Sequence, residues 1–267
     1  MSLQLDTEDA VLTITFDAPQ RRNALTPEML CRLADAFWAF ENDETLRVAI
    51  VTGAGDQAFC AGGDLARTLP LMTGERAPED GWDRRLLDDP RVLAASGLRE
   101  WVPSKPVIAA VNGVCMAAGF ELLLGTDIRI AAAHARFALP EVQRALLPFA
   151  GSMARLPRQV PLASAMQLML TGEPIDAPEA HRIGLVGEVL PAADVMPRAR
   201  RIAARIAANG PVAVRAVKRT AVAASGQPLA AAYAMEDAAK QQVLASDDAR
   251  EGPRAFMEKR APVWRGR

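Results

Sequence analysis

The stretch that decides the fold is Ala58-Phe59-Cys60-Ala61-Gly62-Gly63-Asp64-Leu65, and Ala118-Gly119-Phe120-Glu121 repeats its character further along the chain. In both stretches a turn of small residues follows an apolar run and is expected to open a helix. The first N–H groups of a helix have no partner within it, and the helix dipole makes this end positive. Two such turns that converge on one oxygen would stabilise a negative charge there without a metal ion.

The segments around these turns predict a mostly parallel sheet. Residues 48–52 and 106–111 are apolar runs typical of strands buried on both faces, and residues 11–16 alternate as a strand does. Thr26 and Pro27 predict the N-terminus of a helix that runs to about Asn42. Alternation of strand, helix and strand favours parallel pairing with helices outside the sheet, which is an α/β fold.

Two later regions depart from this alternation. Residues 66–100 carry several prolines and many charges, which predicts a long surface excursion of irregular and short helical pieces that could border a ligand. Past residue 190 the pattern predicts helices only. The alanine-rich face at residues 230–234 suits close packing between helices, within one chain or between subunits, and favours an oligomer.

Composition argues against several classes of protein. The 267 residues carry 31 basic and 32 acidic side chains, so the net charge gives no sign of nucleic-acid binding or of attraction to an anionic membrane. Neither a secretory N-terminus nor a run of about 18 apolar residues is seen, so the cytoplasm is the expected location. Cys31, Cys60 and Cys115 are odd in number and widely spaced, which predicts buried free thiols rather than disulfides or a zinc site.

Two other motifs invite functional interpretations that the sequence supports poorly. Residues 53–58 match the G-x-G-x-x-A form of a dinucleotide-binding turn, but Gly62 and Gly63 would break the helix that such a turn must open. His134 and His181 are the only histidines, and neither lies in a G-x-S-x-G or H-E-x-x-H pattern. We therefore expect structural roles for both histidines and no metal site.

Taken together and in order, several motifs resemble the crotonase superfamily, that is, the enoyl-CoA hydratases and isomerases. The stretches that carry the resemblance are residues 58–65, 105–113, 120–122, 127–128, 137–141, 170–173, 184–186 and 251–260. They span nearly the whole chain. The resemblance implies a crotonase-like spiral of ββα turns with an acyl-CoA site in residues 1–195. It also implies a C-terminal helical oligomerisation region, residues 196–267, that forms trimers and often hexamers.

An active site for acyl-CoA thioesters is implied by the same resemblance. The N–H groups of Gly63 and Ala118 would form the oxyanion hole, because charge moves onto the thioester oxygen as the enolate forms. Glu121 would position and deprotonate the water that attacks the β-carbon, and Glu141 would deliver a proton to the α-carbon. Two carboxylates in one apolar pocket should have pKa values that differ, which suits base and acid roles.

Contacts with coenzyme A are also implied. The backbone of Ala61 would meet the adenine, and Arg22 would lie near the phosphates, where charge-assisted contacts are chemically sensible. Phe256 and Lys259 match tail positions that contact CoA, often in an adjacent subunit. The full implied set is Arg22, Ala24, Ala61, Gly63, Asp64, Leu65, Phe256 and Lys259. On residue type alone, Asp64 is expected to cap its helix, and Asp127 to hold backbone amides.

The implied reaction is addition of water to an α,β-unsaturated acyl-CoA, or its reverse, with CoA as part of the substrate and no further cofactor. Isomerisation or decarboxylation through the same enolate remains an alternative, as does a non-catalytic acyl-CoA-binding module. Phe149 and Ser152 stand where hydratases usually have glycine, and the stretch between Asp64 and Lys105 looks longer than in short-chain hydratases. These departures leave the acyl group open.

Overall fold

The computed structural model describes residues 2–267 as alternating strands and helices. The strands in this range are β1 (Leu3–Glu8), β2 (Val11–Phe16), β3 (Val48–Gly53), β4 (Ala58–Cys60), β5 (Val107–Val111), β6 (Val114–Met116), β7 (Ile128–Ala132), β8 (Arg136–Ala138), β9 (Ile175–Asp176) and β10 (Glu188–Leu190). The α-helices are α1 (Pro27–Asn42), α2 (Thr68–Thr73), α3 (Gly81–Asp88), α4 (Pro90–Ser96), α5 (Ala118–Leu124), α6 (Ser152–Gln159), α7 (Leu162–Thr171), α8 (Ala177–Arg182), α9 (Ala192–Ala207), α10 (Pro211–Ala224), α11 (Leu229–Ala245) and α12 (Asp248–Met257). Two short 3₁₀ helices span Pro19–Arg21 and Pro140–Arg144.

Two sheets organise the first two thirds of the chain. A six-stranded sheet has the order β1-β2-β3-β5-β7-β10, and a four-stranded sheet has the order β4-β6-β8-β9. All pairs are parallel except β1 with β2 and β8 with β9. The predicted α/β class with parallel pairing is therefore confirmed.

The chain enters the two sheets alternately, which produces a spiral. Strand β3 lies in the large sheet, β4 in the small one, and helices follow before the chain returns at β5; β5, β6 and α5 repeat the pattern. Each turn is thus a ββα unit, as the sequence predicted. Because equivalent strands of successive turns pair in parallel, the segments that follow β4, β6 and β8 meet at one edge of the small sheet.

The core fills the space between the two sheets and the helices that cover them. Phe16 and Phe59 meet edge to face with ring centroids 5.6 Å apart, and Phe120 and Phe137 do the same at 6.4 Å. All four rings are fully buried. Burial of such rings contributes on the order of 1.5–3 kcal/mol each, so the spiral is fixed by its apolar interior.

Both ends of helix α1 are stabilised by side chains that satisfy its free backbone groups. The Thr26 hydroxyl accepts a hydrogen bond from the Met29 N–H at 3.2 Å, and Pro27 occupies the first turn, as predicted. At the other end, the buried ammonium of Lys105 donates to the carbonyls of Phe40 and Asp43 at 2.6 and 2.7 Å. A cation at a helix C-terminus is favourable, so Lys105 joins α1 to the start of β5.

Residues 66–100, predicted to form a surface excursion, lie only partly at the surface. It does consist of the three short helices α2, α3 and α4. However, Val92, Ala95 and Leu98 are fully buried, and α4 packs against α1. In this part of the sequence the apolar residues are widely spaced among charged ones, so no pattern indicates that one side of α4 is buried.

After β10, helices are the only regular elements of the described chain, as predicted, and residues 261–267 follow the last of them without regular structure. Helix α9 crosses the predicted division at residue 195 and packs against the large sheet through Val195, Ala199 and Ala203. Helix α11 contacts α10 and α12, and none of its residues is buried. Within residues 2–267, no helix has both the length and the apolarity needed to cross a membrane.

Candidate active site

Two small-residue turns meet at one edge of the small sheet. Strands β4 and β6 pair in parallel with Cys60 opposite Cys115, so the turns that follow them leave the sheet side by side. Gly119 has to be glycine here, because a Cβ at this position would lie 2.6 Å from the Cys60 carbonyl oxygen. The close approach of α5 to β4 brings the two turns together, as the sequence predicted.

Gly63 and Ala118 present unused backbone donors at this edge. Among residues 2–267, neither N–H donates a hydrogen bond to another group of the protein. Ala118 is the first residue of α5, where an N–H has no partner within the helix. The N–H groups are therefore available to an oxygen of a ligand.

The residues that directly precede the two donors, Gly62 and Ala117, have unusual backbone conformations and lie close to each other. Ala117 has φ 49° and ψ −127°, a conformation that costs a non-glycine residue on the order of 1–3 kcal/mol. Gly62 has φ +102°, and a Cβ there would lie 2.6 Å from the Cβ of Ala117. The geometry fixes the peptide groups before Gly63 and Ala118, and with them the directions of their N–H groups.

Replacing Gly62 with alanine is expected to lower the free energy of unfolding by about 1–3 kcal/mol, because the new Cβ meets both an unfavourable φ and Ala117. Gly74→Ala is the matched control. Its φ of +79° is equally unsuited to alanine, but its Cβ would meet nothing within 4 Å. Denaturant unfolding of both variants separates the two effects, and equal losses would show that the contact with Ala117 is unimportant.

Glu121 is a buried carboxylate in the first turn of α5. Its side chain is nearly inaccessible to solvent, and its Oε1 accepts a hydrogen bond from the Ser152 N–H at 3.2 Å. Burial raises the pKa of Glu121 from 4.5 to about 7, and the charge of Glu141 adds to the rise, whereas the Ser152 N–H opposes it. A carboxyl group with this pKa can take up and release a proton near neutral pH.

The raised pKa of Glu121 predicts how the stability of the protein depends on pH. A carboxyl whose pKa is raised by folding contributes stability that is fully present below pH 4.5 and is lost as the pH rises through about 7. Glu121→Gln removes this dependence, so between about pH 5 and pH 8 the variant should lose roughly 2–3 kcal/mol less stability than the wild type. Urea unfolding at both pH values measures the difference. Glu173→Gln, at an exposed site, should lose as much stability as the wild type between the two pH values. An equal loss in Glu121→Gln would contradict the raised pKa of Glu121.

Glu141 lies in the 3₁₀ helix Pro140–Arg144, directly after β8. Its carboxyl oxygen Oε2 is buried and has no hydrogen-bond partner among residues 2–267. Burial raises the pKa of this carboxyl, and the backbone N–H of Glu141 and then the guanidinium of Arg144 oppose the rise. An unpartnered buried carboxyl oxygen is uncommon, so this oxygen is suited to a partner that a ligand supplies.

One cavity of about 440 Å³ joins these groups. Gly63, Ala118, Glu121 and Glu141 all contribute to its lining, although they are far apart in the sequence. Most of the remaining wall is apolar, including Leu25, Leu69, Met72, Leu93, Leu147 and Phe149. The four residues predicted to act together are therefore brought to one site, and the surroundings suit an apolar group.

Only part of the predicted CoA-binding set lies at this cavity. Ala61 and Leu65 line it together with Gly63, whereas Ala24 does not. Arg22 lies beside a separate, open depression on the surface near His134. Phe256 is 85% exposed on α12, outside the cavity lining, as is Lys259 just beyond it. For these outlying residues the contact with CoA stays a prediction.

The carboxylate of Asp64 is occupied within the protein. It accepts hydrogen bonds from the N–H groups of Ala66 and Arg67 at 2.8 and 3.0 Å, and it pairs with Arg21 at 3.1 Å. The expected helix does not start at this turn, because α2 begins only at Thr68. Asp64 therefore caps a turn that precedes the helix, and its side chain does not line the cavity.

Two residues of α6 that support the site were not recognised from the sequence as doing so. Ser152 bonds to Glu121 across 31 positions of sequence. The half-buried guanidinium of Arg155 donates to the carbonyls of Leu98 and Arg99, which joins α6 to the segment after α4. No local pattern reveals either contact, because both depend on the tertiary arrangement of α6 against the cavity.

The remaining motifs do not form sites of their own. Residues 53–58 connect β3 to β4 without a helix, so they lack the strand–turn–helix geometry of a dinucleotide-binding turn. The three cysteines are free and buried, as predicted. The carboxylate of Asp127 accepts the Val107 N–H at 2.7 Å, again as predicted, and also pairs with Lys218. No group of three potential metal ligands is found within residues 2–267.

Comparison with known proteins agrees with this fold. Residues 6–267 match the family model described as enoyl-CoA hydratase/isomerase. The chain belongs to this family, which confirms the resemblance to the crotonase superfamily.

Individual relatives cover the chain almost completely. It is 40% identical over 256 residues to the enoyl-CoA hydratase EchA19 of Mycobacterium tuberculosis, covering 96% of this chain and 93% of that protein. It is 39% identical over 271 residues to the carnitinyl-CoA dehydratase of Proteus mirabilis, covering 100% and 99%. The crystal structure of an enoyl-CoA hydratase from Bacillus anthracis superposes with a TM-score of 0.89 at 33% identity, over 100% of both chains. A hydratase-type enzyme is the class that these relatives support.

Proposed function

We propose that this protein catalyses reversible addition of water to the double bond of an α,β-unsaturated acyl-CoA thioester. The single observation that carries the proposal is the convergence of two unused backbone N–H groups and two carboxyl groups on one largely apolar cavity. The reaction needs these groups of the protein and water, with coenzyme A as part of the substrate. No separate cofactor takes part in the proposed steps.

In the proposed mechanism the N–H groups of Gly63 and Ala118 bind the thioester oxygen. As water attacks the β-carbon, the electrons of the double bond move onto this oxygen and form an enolate. Two preorganised donors stabilise the enolate more than the neutral thioester, and losing one donor typically costs about 2.7–4 kcal/mol of barrier. Dehydration follows the same path in reverse.

The two glutamates receive different roles. Glu121 takes the proton of the attacking water, the role that the family resemblance implies. Its pKa of about 7 makes the ionised carboxylate a stronger base than an ordinary glutamate, and the Ser152 N–H at Oε1 favours that charged form. Glu141 gives a proton to the α-carbon, because burial raises its pKa and no donor within residues 2–267 stabilises the charge on its Oε2. Proton exchange between the site and solvent restores both groups after each turnover.

An enoyl-CoA hydration assay tests the proposal. The conjugated enoyl thioester should lose its ultraviolet absorbance, and mass spectrometry should find a product heavier by one water. Loss of conjugation at unchanged mass would instead assign isomerisation, and loss of carbon dioxide from a carboxylated acyl group would assign decarboxylation. Thioester binding without turnover across a broad panel would assign a non-catalytic acyl-CoA-binding module.

For the acyl group we propose an apolar chain. The wall offered by Leu69, Met72, Leu93 and Phe149 provides no partner for a charged group. Arg99 and Glu100 both line the cavity and pair with each other at 3.7 Å, so this part of the wall offers no uncompensated negative charge to the cation of a carnitinyl group. In competition, an apolar medium-chain enoyl-CoA should be converted faster than carnitinyl-CoA is dehydrated; the opposite order would refute this part of the proposal.

We also propose that the chain assembles as a homotrimer or a dimer of trimers. Helix α11 has no buried residue, and large apolar side chains such as Val217, Leu229, Tyr233 and Leu244 are exposed on α10 and α11. Light scattering should give three or six times the chain mass of 28.6 kDa. A monomer at micromolar concentration would refute the assembly without bearing on the chemistry.

A further inference from the structure

The hydroxyl of Ser152 is a buried polar group without a partner. Ser152 is fully buried, and its Oγ makes no hydrogen bond among residues 2–267. Buried hydroxyl groups are ordinarily bonded, since leaving one unpaired costs free energy. A fully buried side chain of this kind next to a candidate catalytic carboxylate calls for a functional explanation.

Ser152 lies against the carboxyl group of Glu121. Ser152 is the first residue of α6, and its N–H holds Oε1 of Glu121 at 3.2 Å. The preceding Gly151 has φ +123°, a conformation that favours glycine and sets the angle at which the helix meets the carboxylate. The Ser152 hydroxyl also lowers the pKa of the Glu121 carboxyl, although the two groups do not form a well-aligned hydrogen bond.

We propose that Ser152 is a positioning residue for Glu121, and this rests on the proposed hydration. Its N–H fixes Oε1, and its hydroxyl rotates to donate to the same carboxylate when Glu121 carries a negative charge. The Ala150 N–H and the positive charge of Arg155 also favour this charged form, whereas the charge of Glu141 opposes it. The two donors of Ser152 offset part of the burial that raises the pKa of Glu121, so Ser152 helps this carboxyl to reach the charged form that a base needs.

Ser152→Ala and Ser152→Gly test the proposal, because both keep the N–H and remove the hydroxyl. Without that donor the charged carboxylate is less stable, so the pKa of Glu121 should rise. The acidic limb of the pH profile for hydration should move up by about one pH unit, with a roughly tenfold lower kcat near neutral pH and little change in KM. Ser152→Thr keeps a hydroxyl and should restore the position of the limb.

Thr52→Val is the matched control. Thr52 is also buried, and its hydroxyl donates to the Ala110 carbonyl at 2.8 Å in the sheet, outside the cavity lining. This variant should leave the acidic limb in place even if it lowers stability. A limb that stays in place in Ser152→Ala and Ser152→Gly, whether or not activity falls, would overturn the positioning role.

A second measurement does not need a substrate. The loss of stability with rising pH that comes from Glu121 is the part that Glu121→Gln abolishes. In Ser152→Ala this loss should occur at higher pH, because it reports the same pKa of Glu121. If the wild type hydrates no enoyl-CoA but this shift occurs, the proposed function fails while the link between Ser152 and Glu121 stands. If hydration occurs and the shift does not, the inference about Ser152 is wrong.

Discussion

Replacing Glu141 with glutamine is expected to lower kcat for enoyl-CoA hydration by about 10²–10⁴-fold, the range typical of losing a general acid. Glutamine keeps the size and the neutral charge of a protonated glutamate but cannot release a proton to the α-carbon. The buried, unpartnered Oε2 of Glu141 is the group at this cavity best suited to that transfer. Steady-state kinetics with a conjugated enoyl-CoA measure the loss.

Affinity for the CoA thioester should remain close to that of the wild type, because the carboxyl group meets the reacting carbons rather than the nucleotide. Calorimetric titration with a saturated acyl-CoA checks this point. Glu173→Gln, at an exposed position after α7, is the control and should keep full activity. Unchanged hydration by Glu141→Gln would remove its role as the acid.

Replacing Ala118 with proline is expected to lower kcat by about 10²–10³-fold, because it deletes one of the two backbone donors. Side-chain substitutions usually leave a backbone N–H in place, but proline removes it. Ala118 is the first residue of α5, where proline is compatible with a helix and no intrahelical hydrogen bond is lost. Proline also favours extended backbone at the residue before it, and Ala117 has φ 49° and ψ −127°, so the variant should fold with lower stability than the wild type.

Ala118→Gly provides the matched control, since it keeps the N–H and removes only the methyl group. Its activity should stay near that of the wild type. Thermal unfolding of Ala118→Pro should show that the fold is retained, so that the loss can be assigned to the missing donor. If Ala118→Pro folds and keeps full activity, this N–H does not stabilise the enolate.

Much of the scaffold could be predicted from the sequence because its signals are local. The apolar runs of β3 and β5 are buried on both faces, and α1 carries its own N-cap at Thr26. Strand β1 was missed for the opposite reason. It pairs at the edge of the sheet and buries only Leu3, and its alternation is limited to Leu3-Gln4-Leu5-Asp6, which is too short a signal to identify a strand.

The candidate site was predicted in part, through the order of its motifs. The resemblance indicated that Gly63, Ala118, Glu121 and Glu141 belong together, and all four line one cavity. The contact of Ser152 with Glu121 and the conformation of Ala117 could not be predicted, because they depend on how α6 and β4 pack against α5. Pairwise tertiary geometry of this kind leaves no periodic signal in one sequence.

A crystal structure with a bound, non-reacting acyl-CoA thioester would show whether these four groups surround the reacting atoms. The thioester oxygen should lie about 2.7–3.1 Å from the backbone nitrogens of both Gly63 and Ala118. The carboxyl groups of Glu121 and Glu141 should face the β-carbon and the α-carbon. A thioester oxygen held by other groups, or reacting carbons outside the cavity that these residues line, would contradict the proposed mechanism.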